Sequence, residues 1–171
     1  MFPRLYNGVH ISEDQVYDGC AFIGETYKKY IEIFNHCYEQ FYKRDLDNVF
    51  FGCTNYYFEI DIPKDDKQKG VSKENRKDSI IGQALLLDAD LIPIAMQMYP
   101  GNESEKPYIR KLIQEMKQRY KVKSRTVQVA DKGLNYARNI YAAAVEAKDG
   151  YIVSKSIHGK DLSEAEKISS S

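Results

Sequence analysis

The stretch from Val49 to Asp61 constrains the fold of this 171-residue chain more than any other. It is rich in aromatic and β-branched residues, contains no proline, and has apolar side chains on both alternating sides. Such a pattern predicts a strand that is buried on both faces and lies at the centre of a sheet. Gly52 offers no side chain to pack, and the residues from Cys53 to Glu59 are more polar than a core strand requires. We therefore expect a functional site on this strand.

The composition fits one domain with a core, because 43% of the residues are hydrophobic and 29% are charged. Lysine plus arginine equals aspartate plus glutamate at 25 each, so nucleic-acid binding would have to come from local patches. The 3 cysteines form no C-x-x-C pair, which favours a reducing compartment over disulfides or a zinc knuckle. With no signal-peptide pattern and no apolar run long enough to span a bilayer, we expect a soluble, cytoplasmic protein without a membrane partner.

Two helices are predicted before the central strand. Ser12 and Gln15 form a capping-box pattern that begins a helix running toward Ile23. From Glu25 to about Lys43, aromatic and aliphatic side chains recur at the spacing of an amphipathic helix. We expect these side chains to make core or partner contacts in preference to stacking on bases. Residues 1–47 are thus predicted to form a helical segment, followed by the main domain at residues 48–171.

A charged loop follows the central strand, from Pro63 to Asp78. Its mixture of lysine, aspartate, glutamine and glycine predicts a solvated loop. The alternative is a phosphate-binding loop, in which Lys69, Lys73 and Arg76 contact DNA.

The next segments predict a hairpin and a helix. Ser79 to Leu87 and Ile92 to Tyr99 are apolar runs separated by a short turn, and with the first strand they give three antiparallel strands. A helix should begin near Ser104, with Pro107 in its first turn. A basic cluster at its end suits either the negative end of a helix dipole or a DNA surface, and comprises Lys117, Arg119, Lys121, Lys123 and Arg125.

A short β-branched strand from Thr126 ends in Asp131, and Asn135 is predicted to cap a helix that continues through Ala147. A carboxylate at the carboxyl end of such a strand occupies the usual position for ligand chemistry in α/β sheets. The segment 150–157 predicts a fifth strand. Three antiparallel strands, a helix, a strand, a helix and a strand make the order of an α/β, ribonuclease H-like mixed sheet, here preceded by the helical segment.

Six ordered blocks between Val49 and Lys155 closely resemble the DDE transposases of bacterial insertion sequences, of the insertion-sequence-four type. The blocks are Gly-Cys-Thr-Asn-Tyr-Tyr-Phe-Glu, Lys-Gly-Val-Ser-Lys-Glu-Asn-Arg, Leu-Leu-Leu-Asp-Ala-Asp-Leu-Ile-Pro-Ile, Tyr-Pro-Gly-Asn-Glu-Ser-Glu-Lys-Pro, Val-Ala-Asp-Lys-Gly-Leu-Asn and Gly-Tyr-Ile-Val-Ser-Lys-Ser. The resemblance implies a protein of DNA transposition and recombination whose partner is the DNA at the ends of an insertion sequence.

The resemblance also implies two aspartates and a distant glutamate that hold two Mg²⁺ or Mn²⁺ ions. These hard ions prefer carboxylate oxygens, and a pair about 3.5 to 4 Å apart clamps the attacking and leaving oxygens of a phosphodiester. The second aspartate corresponds to Asp131, the predicted catalytic and metal-binding residue, with Lys132 beside it as a candidate DNA contact. The first aspartate falls at Gly52, and the glutamate is expected beyond Ser171. We expect the first strand to run parallel to the strand that ends in Asp131 and to bring Gly52 near it.

Few other carboxylates are placed to replace the first aspartate. Asp61 lies nine residues along the same strand, roughly 30 Å away at about 3.3 Å per residue, and Glu59 is little closer. Asp88, at the far end of the second strand, is the one candidate that the pattern leaves to face Gly52. The prediction is a truncated transposase domain, incomplete at its C-terminus, that neither cleaves nor joins DNA. The alternative is a non-enzymatic remnant that binds DNA, a full-length transposase or a second copy of itself, and so interferes with a full-length relative.

Overall fold

The computed structural model describes residues 11–70 and 78–154. The chain divides into two compact units, Met1–Tyr42 and Lys43–Ser171. The last residues of the predicted fifth strand, 155–157, and the candidate DNA contacts Lys73 and Arg76 lie outside the described residues. Within the described residues, no helix has both the length and the apolar character needed to cross a membrane.

The first unit contains helices α1 (Glu13–Glu25) and α2 (Tyr27–Glu39). The predicted capping box is confirmed, because the Gln15 amide donates to Ser12 Oγ at 3.2 Å and the Ser12 amide donates to Gln15 Oε1 at 2.9 Å. These two helices bury only Asn35, whose Nδ2 donates to the Ile31 carbonyl at 2.7 Å. Most of their large apolar side chains are exposed in the described part of the unit; these include Tyr17, Phe22, Ile23, Tyr30, Ile33 and Phe34.

The second unit is built on a five-stranded sheet. Its strands are β1 (Asn48–Phe58), β2 (Ser79–Leu87), β3 (Pro93–Pro100), β4 (Val127–Ala130) and β5 (Gly150–Val153). The spatial order is β3-β2-β1-β4-β5, with β1 at the centre as predicted. β1, β2 and β3 pair antiparallel, whereas β4 and β5 run parallel to β1. This mixed sheet confirms the predicted ribonuclease H-like arrangement.

Helix α3 (Lys106–Arg119) covers one face of the sheet. Pro107 lies in its first turn, where no intrahelical amide bond is lost. The helix buries Ile109, Leu112, Ile113 and Met116 against a cluster from β1, β2 and β3 that includes Val49, Phe51, Leu86 and Ile94. Each such side chain contributes about 1.5 to 3 kcal/mol on burial, so this layer holds the unit together.

The expectation that β1 is buried on both faces is wrong. Val49 and Phe51 are buried on the face toward α3, but Gly52, Thr54 and Tyr56 on the other face are exposed. Neighbouring apolar side chains of that second face, Phe50, Leu85, Leu87 and Val129, are only half-buried. The aromatic and β-branched composition of β1 correctly indicates its central place in the sheet. It does not indicate how deeply each face of the strand is buried.

The segment after β4 is less regular than predicted. It contains a 3₁₀ turn (Lys132–Leu134), helix α4 (Ala137–Tyr141) and a π-helical turn (Ala142–Glu146). Asn135 does not cap a helix, and its amide closes the 3₁₀ turn by donating to the Lys132 carbonyl at 3.0 Å. Leu134 is buried in the core cluster. This buried side chain directs the chain toward the core before helix α4 begins at Ala137.

Candidate functional site

The parallel pairing of β1 and β4 brings Gly52 beside Asp131. The last paired residues are Phe51 and Ala130, so the next residue of each strand is Gly52 on β1 and Asp131 after β4. The predicted convergence of these two positions is confirmed. We call this region of the sheet, where β4 and β5 end, the Asp131 edge.

Asp131 is exposed and has few partners among the described residues. Its Oδ1 accepts the Lys132 amide at 2.6 Å and lies 3.5 Å from Ser154 Oγ, which follows β5. The first contact starts the 3₁₀ turn, and the second is at the limit of a hydrogen bond. Most of the acceptor capacity of this carboxylate is therefore open to solvent or to a ligand.

Gly52 leaves space where the resemblance implies a second carboxylate. A Cβ built on Gly52 has no atom within 4 Å apart from the adjacent residues of the chain, so a side chain can start here without displacing a neighbour. A cavity of about 340 Å³ opens at this position and is lined largely by apolar side chains, among them Phe50, Leu85 and Leu87. The residues at this point of β1 supply no ligand to a cation.

Asp88, the one candidate left to replace the first aspartate, does not face Gly52. Gly52 pairs with Leu85, three residues before Asp88 along β2. Asp88 is fully buried, where Oδ2 accepts Arg44 Nη1 at 2.5 Å and Oδ1 accepts the Ile92 amide at 2.8 Å. Its lone pairs are used to hold the β2–β3 turn and Arg44, which gives it a structural role.

Glu105 lies close to the Asp131 edge and was not found by sequence reasoning. Its Oε1 is 2.6 Å from the position of a Cβ built on Gly133, two residues after Asp131. The carboxylate also contributes to a raised pKa at Tyr99, after burial of that phenol and the neighbouring Cys53 thiol. No motif or spacing relates a residue before α3 to a turn after β4, because only the packing of α3 on the sheet brings them together.

Two of the candidate DNA contacts, Lys132 and Lys69, lie within the described residues. Lys132 is exposed in the turn that directly follows Asp131. Lys69 is exposed in the β1–β2 loop, where the adjacent Gly70 packs against the backbone of Gly101. A glycine is required there, since a Cβ on Gly70 would meet the Gly101 carbonyl oxygen at 1.7 Å. Their roles in DNA binding stay predictions.

A two-ion centre does not fit the described residues. The implied chemistry needs at least two converging carboxylates, and this position offers Asp131 beside a glycine. Residues 11–70 and 78–154 hold no group of three or more histidine, cysteine, aspartate or glutamate side chains arranged to bind a metal. The assignment of Asp131 as a metal ligand stays a prediction.

Comparison with known proteins gives similarity in structure alone. No family model and no curated protein matches the sequence. Among solved structures, the chain is similar to piggyBac transposase in a synaptic complex with hairpin DNA, with a TM-score of 0.49 and 12% identity over 71% of this chain and 25% of that one. It is also similar to Mos1 transposase in a paired-end complex with the left transposon end, with a TM-score of 0.42 and 14% identity over 88% and 45%.

A further match is the Mos1 mariner paired-end complex with Mn, with a TM-score of 0.40 and 14% identity over 88% of this chain and 46% of that one. These three structures are of two transposases, piggyBac and Mos1. The chain spans between 25% and 46% of the length of these solved chains.

Proposed function

We propose that this chain is a transposase-type ribonuclease H-like domain that binds DNA and does not cleave it. The observation that carries the proposal is Gly52 beside Asp131 on neighbouring parallel strands. The six sequence blocks support a relationship to DDE transposases of bacterial insertion sequences, in which these two positions hold carboxylates. The proposed partner is the DNA of insertion-sequence ends, met in the bacterial cytoplasm.

The absence of cleavage follows from the chemistry of phosphoryl transfer. Positioning and charge neutralisation provide most of the rate in such reactions, and two metal ions supply both in the family that the blocks resemble. Asp131 alone cannot fix two ions in place. It can accept hydrogen bonds or hold a cation loosely, while Lys132 beside it is placed to meet a phosphate.

A second candidate function is interference with a full-length transposase through protein contacts. It is favoured by the first unit, whose two helices bury one residue and expose large apolar side chains such as Tyr17, Phe22 and Phe34. Exposed apolar clusters of this kind mark interaction surfaces. This function predicts self-association of the purified chain that weakens when Phe22 and Phe34 are replaced by serine, as measured by light scattering.

The main proposal is tested by metal titration and DNA nicking with three proteins. The wild type, Gly52→Asp and Asp131→Ala are titrated with Mg²⁺ and Mn²⁺ by calorimetry and incubated with supercoiled plasmid. Gly52→Asp should bind divalent ions about tenfold more tightly than wild type, because two charged oxygen donors replace more of the hydration shell than one. We expect none of the three to nick DNA.

Binding is measured separately, by fluorescence anisotropy with labelled duplex DNA. The wild type should bind, and Lys132→Gln should bind more weakly. Nicking by the wild type that disappears in Asp131→Ala would overturn the proposal of an inactive domain, since other groups would then have completed the site.

A further inference from the structure

We propose that the end of the sheet where β4 and β5 begin, opposite to the end that carries Asp131, is a second DNA-binding surface. It is formed by Lys121, Lys123, Arg125 and Lys148. We call these four residues the basic edge. The inference rests on the proposed function in one respect, which is that the polyanion is taken to be duplex DNA. The surface itself follows from the positions, charges and backbone conformations of the four residues.

Two separate chain segments, the α3–β4 connection and the residues before β5, bring these cations together. Helix α3 leads into β4 and the π-helical turn leads into β5, so both helical segments end where these parallel strands begin. The strand starts are neighbours, because Val127 pairs with Gly150. Arg125 reaches across this gap, since its Nη2 lies 3.2 Å from a Cβ built on Gly150. Lys121 and Lys148 follow the two helical segments at the same edge.

The charges of the basic edge are not neutralised by the described acidic residues. Lys117, the nearby cation of α3, pairs with the buried carboxylate of Asp149 at 2.5 Å. Glu146 pairs with Arg138 at 2.6 Å. In residues 11–70 and 78–154, no ion pair joins the four basic-edge residues to a carboxylate. All four side chains are exposed, so their charge is presented to solvent.

The backbone conformations of two lysines also support the proposal. Lys121 and Lys148 have φ angles of 51° and 54°, in the left-handed region that glycine or asparagine usually occupies after a helix. Other residues adopt this region at a cost of about 1 to 2 kcal/mol. A cation near a helix C-terminus recovers about 0.3 to 1 kcal/mol. The interaction with the helix dipole therefore does not offset the backbone strain. A role for both charges in DNA binding accounts for two lysines in strained conformations.

The basic edge is too far from Asp131 to belong to the same local contact. Arg125 precedes Asp131 by six residues, which corresponds to roughly 20 Å along an extended strand at about 3.3 Å per residue. A phosphate group held by Lys132 therefore does not also meet Lys121 or Lys148. The domain has two separate places to hold DNA, one at each end of β4.

The test replaces the two strained lysines by glycine. Lys121→Gly/Lys148→Gly removes two charges and relieves both left-handed residues, so its thermal midpoint should rise. Binding of a labelled duplex of about 30 base pairs is measured by anisotropy from about 50 to 200 mM salt. Affinity should fall about tenfold at the lowest salt, and the slope of log K against log salt should decrease by about 1.8, or 0.9 per lost phosphate contact.

The matched control is Lys28→Gln/Lys29→Gln, which removes two exposed charges from α2 and should bind DNA as the wild type does. Wild-type affinity and slope in the glycine variant would overturn the inference, as would an equal loss in the control. Stronger binding of the wild type to phosphatidylserine vesicles than to duplex would assign the basic edge to lipid instead.

A third variant separates this inference from the proposed function. If Lys132→Gln alone weakens binding, the Asp131 edge binds DNA and the basic edge does not. If only the glycine variant weakens binding, the basic edge stands and the proposed DNA contact at Lys132 fails. Losses in both variants support both.

Discussion

Asp131 and Asp149 lie at opposite ends of the β4–β5 pair, and their surroundings differ. Asp149 is buried and accepts Lys117 Nζ at 2.5 Å, Gln128 Nε2 at 2.8 Å and the Thr126 amide at 3.0 Å. Asp131 is exposed and accepts one amide at normal hydrogen-bond distance. A carboxylate with its lone pairs satisfied inside the protein contributes to folding, whereas one with free acceptor capacity at the surface is available to a ligand. The difference separates a carboxylate with a structural role from one that is available to a ligand.

The largest effect is expected from Asp88→Ala, which removes another buried carboxylate with a structural role. The Arg44 side chain is 3% exposed and would lose the buried carboxylate that accepts from its Nη1 at 2.5 Å. Removing one member of a buried ion pair costs about 3 to 5 kcal/mol. Urea unfolding followed by circular dichroism measures the loss, with Asp90→Ala on the same turn as the control. A loss below about 1 kcal/mol would show that the pair is not structural.

The next effect is expected from Asp149→Ala. The Lys117 side chain is 18% exposed and can turn toward water when its carboxylate partner is removed. The remaining charge is therefore better hydrated than that of Arg44 in Asp88→Ala. The Thr126 amide and the Gln128 side chain still lose their acceptor, which gives an expected loss of about 2 to 3 kcal/mol. The same urea experiment measures it. Equal losses for Asp149→Ala and Asp131→Ala would remove the distinction between the two ends.

The stability of the native state depends on the neutral form of the Tyr99 phenol, which lies toward the Asp131 end of the sheet. Burial, followed by the neighbouring Cys53 thiol and the Glu105 carboxylate, raises the pKa of Tyr99 above its ordinary value of 10.0. The unfolded chain therefore loses the proton first, and the native state loses stability as the pH rises above 10, by up to about 1.4 kcal/mol per pH unit.

Comparison of the wild type with Tyr99→Phe between pH 9 and 11 isolates this effect from the other tyrosines. The stability of the variant should fall less steeply with pH, as measured by urea unfolding at each pH. Parallel pH dependences in the two proteins would contradict the buried, neutral state of Tyr99.

The smallest effect is expected from Asp131→Ala. The substitution removes one contact to the Lys132 amide in a 3₁₀ turn, so the loss should be at most about 1 kcal/mol, as for a helix cap. Differential scanning calorimetry should find nearly the same midpoint as in the wild type. A loss as large as that of Asp149→Ala would place Asp131 among the structural carboxylates and weaken its assignment to a site.

Local sequence patterns predicted the parts of the fold that depend on neighbouring residues. Ser12 and Gln15 cap α1 as expected, β2 has the predicted bounds Ser79–Leu87, and α3 begins close to Pro107. The parallel pairing that brings Gly52 to Asp131 was also predicted, from the family resemblance and the apolar character of both strands. Each of these features depends on short-range chemistry or on topology.

Features that depend on distant contacts were not predictable. Asp88 was a candidate for the site because its partner Arg44 lies 44 residues away and no pattern links them. The exposed face of β1 was missed because composition reports that a strand is central and does not report what covers it. Glu105 was missed for a related reason, since α3 brings it to the turn after Asp131 only in the folded chain.

The open space around Gly52 has an evolutionary consequence. Two of the glycine codons, GGU and GGC, become aspartate codons by a single G-to-A change in the middle base. A Cβ at this position meets no atom within 4 Å, so the first atom of the new side chain would displace no neighbour. A gene in which one of these two codons encodes Gly52 can therefore gain a carboxylate beside Asp131 in one mutational step.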